Sequence, residues 1–175
     1  MSGHNKWSKI KHKKAASDAQ KSQAFSKLVK LIQMEAKKSK GDVNSPGLRM
    51  AVEKAKKANM PSDNIDRAIK KASEAKEVSA VLFETYGPGG IGLIITALTD
   101  NNNRTSAEIK HLLSKHGSSL AGPNSVSWNF TKNAEGGWTP NTTTDLPDED
   151  LEKLSLLVDT LEEQEDVQEI FTSAE

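Results

Sequence analysis

The stretch VLFETYGPGGIGLIITALT, residues 81–99, decides the fold. Two runs rich in β-branched, aromatic and aliphatic residues, Val81 to Tyr86 and Ile91 to Thr99, flank Gly87-Pro88-Gly89-Gly90. The four-residue centre is turn chemistry that neither run can absorb, so the simplest structure is an antiparallel hairpin. A phosphate-cradling reading of the glycines requires a helix N-terminus directly after them, and here a strand follows.

Upstream of the hairpin the period is helical. Ser17 with Gln20 forms a capping-box pattern and Gly41 lies beyond the last periodic residue, which predicts a helix over about 17–39. Phe25, Leu28, Val29, Ile32 and Ala36 form its apolar stripe, and Lys27, Lys30, Lys37 and Lys38 project from the other side. Ser45-Pro46 opens a second helix carrying Leu48, Ala51, Val52 and Ala55. Pro61 restarts the chain into a third, with Ile65, Ala68, Ile69 and Ala72 inward and Arg67, Lys70 and Lys71 exposed.

Downstream, Thr105 with Glu108 gives a second capping-box pattern. It predicts a helix with Ile109, Leu112, Leu113 and His116 on one face, ending before Gly117. Ser125 to Phe130 alternates, so a half-buried strand with Trp128 in the core is expected. Residues 131–147 are turn-rich with room for one short strand, Asp148 opens an acidic helix bearing Leu151, Leu154, Val158 and Leu161, and residues 166–171 read as a closing strand. The fold class is therefore α+β. Residues 1–76 are expected to form a three-helix domain with a flexible N-terminal arm, and residues 77–175 a mainly antiparallel sheet with helices packed on one face.

Charge divides at the same place. Residues 1–76 contain 19 Lys+Arg and 7 Asp+Glu, a balance of +12, while residues 77–175 contain 5 and 17, a balance of −12. The chain is neutral in sum and a dipole along its length. The acidic part is positioned to fold back on the basic part, or to meet it in a neighbouring copy, and so to compete with a polyanion. No cysteine is present, which excludes a disulfide framework and thiolate metal sites and fits a reducing compartment. The longest mostly apolar run, Ile91 to Leu98, is far short of the roughly 20 residues a membrane span needs. The expectation is a soluble, cytoplasmic protein.

The first fourteen residues, MSGHNKWSKIKHKK, hold five lysines and no acid. Such a segment gains most from a surface of regularly spaced negative charge, and nucleic acid is such a surface. Trp7 among the lysines offers a face on which an unpaired base could stack. The competing reading is a solvated start with no ligand. The expected contacts are Lys6, Trp7, Lys9, Lys11, His12, Lys13 and Lys14 in the arm, with Lys27, Lys30, Arg67, Lys70 and Lys71 on the helical face. The loop Asp100 to Thr105 is an expected second contact through Asp100, Asn101, Asn103, Arg104 and Thr105. Its amides offer donors and acceptors and Arg104 a forked phosphate ligand; a polar turn satisfied by its own asparagines is the alternative.

Reactive chemistry finds little footing. His111 and His116 are five apart, so on a helix they point about 140° from each other and cannot share an ion locally. No nucleophile motif or paired-carboxylate signature accompanies Asp100 or any histidine. No catalytic residue, metal, cofactor or small-molecule substrate is expected.

Several separated motifs point the same way: Gly3-His4-Asn5-Lys6-Trp7 with Ile10 to Ala15, Asn59-Met60-Pro61 with Asp63-Asn64-Ile65, and Ala68-Ile69-Lys70-Lys71. Tyr86 to Gly90, Thr99-Asp100-Asn101 with Asn103-Arg104-Thr105, Ser114 to Gly117, and Asp166-Val167-Gln168 follow. Together they make the chain resemble the YebC family, which includes the mitochondrial translational activator of cytochrome c oxidase. The resemblance implies a helical N-terminal domain, α+β domains after it and no catalysis. It further implies a probable transcriptional regulator with DNA binding, or a translation factor that acts on the ribosome and helps it through proline-rich stretches. One departure stands out. The family usually carries a third domain inserted after the segment equivalent to Trp128-Asn129-Phe130, where this chain has about a dozen turn-rich residues, so a two-domain form is expected.

The combined expectation is a non-enzymatic nucleic-acid-binding regulator of gene expression, with ribosomal RNA on the ribosome preferred as target. A DNA-binding transcriptional regulator is the alternative, and a protein whose oppositely charged domains dock on each other or on neighbouring copies is the alternative of another class. A flexible lysine arm suits irregular RNA, and no helix offers an evident major-groove set of Arg, Asn and Gln.

Overall fold

The computed structural model describes residues 6–12 and 16–175, with His12 described by its backbone alone. Four helices open the chain: α1 (Lys6–His12), α2 (Asp18–Lys38), α3 (Pro46–Lys57) and α4 (Ser62–Lys70). The start of α2 is the expected capping box, with the Gln20 amide donating to Ser17 Oγ at 3.2 Å and the Ser17 amide donating to Gln20 Oε1 at 2.9 Å. Beyond its end the Gly41 amide donates to the Ala36 carbonyl at 2.8 Å, and Gly41 holds the left-handed φ of +80° that such a stop requires. Pro46 occupies the first turn of α3. α2, α3 and α4 close on a core of Ile32, Leu48, Met60 and Ile65, with Ala36, Ala51, Ala55 and Ala68 letting the axes approach.

The rest of the chain supplies β1 (Ser79–Tyr86), β2 (Gly92–Thr99), α5 (Asn102–Lys115), β3 (Phe130–Lys132), β4 (Trp138–Pro140), α6 (Asp148–Glu162) and β5 (Val167–Thr172). β1 and β2 form the expected hairpin in the register Val81 to Ala97 and Tyr86 to Gly92, and β5 adds antiparallel to β2, giving the order β1-β2-β5. In the hairpin turn Gly89 adopts φ +68°, and a Cβ there would lie 2.6 Å from Leu146 Cδ2, so the position admits only glycine without displacement. α5 and α6 cover one face of the sheet, where Leu93, Ile95, Ile109, Leu113, Leu154 and Leu161 are buried together. On the other face Ile94 packs with Val126, Phe130, Trp138 and Phe171 from the region of the small β3-β4 hairpin.

Three sequence expectations are corrected. Residues 125–130 are not a strand: a 3-10 turn spans Ser127–Asn129, β3 begins only at Phe130, and Trp128 is 71% exposed instead of lying in the core. The cause is Glu84, a buried carboxylate whose oxygens accept from the amides of Asn124, Val126 and Ser127 at 3.1, 2.8 and 3.2 Å. Those amides converge on one side chain, so they are unavailable to a ladder, and Val126 and Phe130 bury themselves at a spacing of four. The helix expected to be capped by Thr105 is capped four residues earlier, by Asn101, whose Oδ1 accepts from the Arg104 amide at 3.1 Å. Finally, residues 6–12 of the supposed flexible arm are helical, and Trp7 and Ile10 join the core beneath α6.

The basic helices meet the sheet half through a polar joint. Asp166, with a side chain 3% exposed, accepts from Lys30 Nζ at 3.0 Å, Arg104 Nη2 at 3.0 Å and Thr105 Oγ1 at 2.7 Å. Gln164 folds back on the same turn, accepting from the Asp166 and Val167 amides at 2.7 and 3.0 Å. Above it, Gln23 Nε2 donates to the Glu163 carbonyl at 2.6 Å and Lys27 Nζ donates to the Glu162 carbonyl. α6 has no basic residue in its own last turn, so α2 supplies the cation for its negative end.

Burial opposes the charged form of Asp166, but the hydrogen bonds from Thr105, Lys30 and Arg104 outweigh it and hold its pKa at about 2. An unfolded Asp titrates near pH 3.9. The stabilisation is therefore complete above about pH 4 and is lost as pH falls toward 2. Asp166→Asn is expected to lower stability at neutral pH by on the order of 2 kcal/mol and to flatten the loss below pH 4, as read by urea melts across pH. Glu84, whose burial is likewise outweighed by its amide donors, has a lowered pKa. Glu84→Gln is expected to cost about 1–3 kcal/mol and to change Trp128 fluorescence, because an amide N–H then confronts backbone donors.

Candidate nucleic-acid interface

The twelve arm and helical-face residues singled out from the sequence do not form one surface. In α1, Trp7 is 9% exposed and packs in the core against α6, so it presents no face for a stacked base. Trp7 and Ile10 are three apart and share a side of the helix, and burying an indole and an Ile outweighs the repulsion among the lysines around them. Lys6 and Lys11 turn to the acidic half, 3.5 Å from Asp145 and 3.9 Å from Glu162. Lys9 is exposed and makes no ion pair among the described residues. The side chain of His12, and Lys13 and Lys14 altogether, lie outside the described residues.

On α2, Lys27 and Lys30, expected to face outward, point inward. Lys27 is half-buried against the end of α6, and burial lowers its pKa despite the Glu162 charge nearby. Lys30 Nζ reaches the Leu98 and Glu165 carbonyls, each at 3.4 Å, besides Asp166. Both ammonium groups are occupied by the protein itself. The open cations lie at the end of the bundle where α2 and α4 finish, brought together there as Lys37 Nζ donates to the Ala75 carbonyl at 2.9 Å. Arg67, Lys70 and Lys71 are exposed there with Lys38 and Lys40, and none of the five has an ion-pair partner among the described residues. The negative ends of two helices favour cations at this place.

The loop from Asp100 to Thr105 is largely self-satisfied. Arg104 Nη2 donates to Asp100 Oδ1 at 2.8 Å as well as to Asp166, and those two carboxylates raise the Arg104 pKa further, Asp166 foremost. Asp100 lies 3.6 Å from Lys76 and its pKa is lowered, first by the Arg104 hydrogen bond. Thr105 is fully buried, bonded to Thr99 Oγ1 at 2.7 Å and to Asp166. Asn101 is spent as a cap, and Asn103 alone of the five stands exposed in the first helical turn with its side chain uncommitted among the described hydrogen bonds.

Two features have no counterpart in the sequence expectations. Glu84 sits in a strand where alternation gives no hint of three amide donors arriving from residues forty positions away. Tyr86 and Trp128, 46% and 71% exposed, both donate to the Ser125 carbonyl, so a pair of aromatic edges is fixed on the loop that Glu84 holds. His116 Nε2 lies 3.0 Å from Thr160 Oγ1, tying the end of α5 to α6. No group of three or more potential metal ligands occurs among the described residues, and no helix there is long and apolar enough to cross a membrane.

Residues 5–75 match the TACO1/YebC protein N-terminal domain, and residues 78–136 and 131–174 match the TACO1/YebC second and third domain. The two segments of the second match meet at the β3-β4 hairpin. A probable transcriptional regulatory protein of Petrotoga mobilis is 52% identical over 136 residues, covering 75% of this chain and 54% of that protein. One of the same description from Kosmotoga olearia is 41% identical over 179 aligned positions, covering 100% of this chain and 71% of that protein. The chain spans about half the length of most of the curated relatives it matches. Among solved structures, a conserved hypothetical protein of Aquifex aeolicus superposes with a TM-score of 0.78 at 30% identity, covering 95% of each chain. With both profiles matched across nearly its whole length, and the helical bundle followed by an α+β sheet as the residues require, the chain belongs to the TACO1/YebC family.

Proposed function

We propose that this protein is a non-enzymatic regulator of gene expression that binds nucleic acid, with ribosome-associated RNA as its target. The observation that carries the reading is the group of exposed cations at one end of the helical bundle, Lys38, Lys40, Arg67, Lys70 and Lys71, none of which is ion-paired among the described residues. Exposed cations at helix C-termini neutralise phosphates when a polyanion arrives. Lys9 is a further exposed cation without an ion pair among the described residues. The printed names of the relatives, probable transcriptional regulatory proteins, support control of gene expression at the coarser level.

RNA is favoured over duplex DNA on physical grounds. On α4 the acids Asp63 and Asp66 share the exposed surface with Arg67 and Lys70, a mixed pattern unlike a base-reading helix in the major groove. A cationic helix end touching irregular backbone needs no groove. Sequence-specific DNA binding is the second reading, favoured by the relatives' names, and promoter footprinting against ribosome co-sedimentation separates the two.

The triple variant Arg67→Ala, Lys70→Ala, Lys71→Ala tests the site. Three lost phosphate contacts are expected to flatten the slope of log K against log salt by roughly 2 for single-stranded RNA. All three side chains are exposed, so the fold is retained. Unchanged affinity and an unchanged slope in this variant would overturn the assignment.

A further inference from the structure

The interface between the two halves is sorted by charge. Six ion pairs among the described residues join residues 6–76 to residues 77–175: Lys6 to Asp145, Lys11 to Glu162, Lys30 to Asp166, Lys54 to Glu169, Lys57 to Glu135 and Lys76 to Asp100. In every one the cation comes from the first half and the anion from the second. Lys27 adds a seventh cation, set on the carbonyl end of α6. From the lysines' side, this surface of Asp and Glu carboxylates and a helix C-terminus has the character of a nucleic-acid backbone: spaced negative oxygens that accept ammonium donors.

The packing beneath these pairs is open. A cleft of about 390 Å³ runs between α2 and α6, with Lys11, Lys27 and Glu162 on its walls. A second of about 390 Å³ lies between α2 and the start of α5, beside Lys30 and Asp166. Apart from α1, whose Trp7 and Ile10 stay packed in the core beneath α6, this is a polar, ion-paired seam with clefts on both flanks, the kind of intrachain contact across which domains move. Of its pairs only Lys30–Asp166 includes a fully buried carboxylate; the others have partners 28% to 85% exposed and are screened by salt.

We infer that Lys27, Lys30 and Lys54, on the inward side of α2 and α3, form a second phosphate-binding face, which the acidic half covers and a nucleic acid uncovers by competition. The inference rests on the nucleic-acid reading above and adds to it a latent site and its internal competitor. Binding first at the open cluster on Arg67, Lys70 and Lys71 raises the local concentration of phosphate beside the seam. The chain's own carboxylates then yield to the longer polyanion. The seam acts as a threshold: a short oligonucleotide engages the open cluster alone, and a longer strand engages both faces.

The test removes the Glu169 carboxylate that pairs with Lys54 and the Glu162 charge beside Lys27, and leaves every lysine in place. In the double variant Glu162→Gln, Glu169→Gln, both positions are partly exposed, and circular dichroism checks the fold. Against a single-stranded uridine homopolymer, this variant is expected to bind several-fold tighter than the parent and to show a salt slope steeper by roughly 1 to 2, as one to three more phosphates are neutralised. A second variant keeps the question open should the first unfold: Lys54→Cys with Glu169→Cys, in a chain with no other cysteine, bridged by a short bismaleimide. Bridging is expected to make the slope shallower than in the same unbridged protein. Affinity and slope equal to the parent in the double variant, or equal with and without the bridge, overturn the latent site. If the Arg67, Lys70, Lys71 variant still weakens binding in that case, the proposed function stands without it. If the parent itself shows no salt-dependent binding, both fall together.

Discussion

A single buried carboxylate sets how the halves of this protein meet. Asp166 sits where β5 begins, and its oxygens are divided among Lys30 from the basic bundle and Arg104 and Thr105 from α5. A buried charge without partners costs several kcal/mol, so each donor is required once the carboxylate is in place. The requirement spreads. Arg104 and Thr105 are correctly placed only if α5 starts at Asn102, which depends on the Asn101 cap, and Lys30 reaches only if α2 lies over the end of α6. One constraint thus couples a helix start, a helix end and the seam between oppositely charged halves.

The same constraint redistributes the positive charge. An even coating of lysine over the helical half would make a featureless basic surface. Here the lysines facing the seam are neutralised by the second half, and those at the joint ends of α2 and α4 remain open. A chain with zero net charge can therefore still present a concentrated cationic site, because compensation is spatially selective. The opposed balances of +12 and −12 are the sequence-level trace of that selectivity.

Much of this is legible in the sequence. The capping box at Ser17 and Gln20, the prolines at 46 and 61 and the glycine turn at 87–90 all act within a few residues of themselves, and local rules locate them. What escaped depends on distant partners. Lys27 and Lys30 carry no mark in sequence of whether they face water or a helix end more than a hundred residues away. Trp7 reads as exposed because its lysine neighbours dominate the composition, although its spacing from Ile10 is that of a buried stripe. The alternation over residues 125–130 reads as a strand until Glu84 draws the backbone amides to itself. Thr105 and Glu108 match a cap pattern, but Asn101 caps the helix one turn earlier and leaves Thr105 free for Asp166. Of the candidate site, the cluster at Arg67, Lys70 and Lys71 is the part whose exposure the helical period alone gave correctly.

Lys30 and Asp166 join the two halves, and a double-mutant cycle measures their coupling directly. Stabilities of the parent, Lys30→Met, Asp166→Asn and the double variant at neutral pH give the coupling energy between the two side chains. The account requires a favourable coupling of about 1 kcal/mol or more. Single-variant losses that simply add, with a coupling indistinguishable from zero, would contradict it.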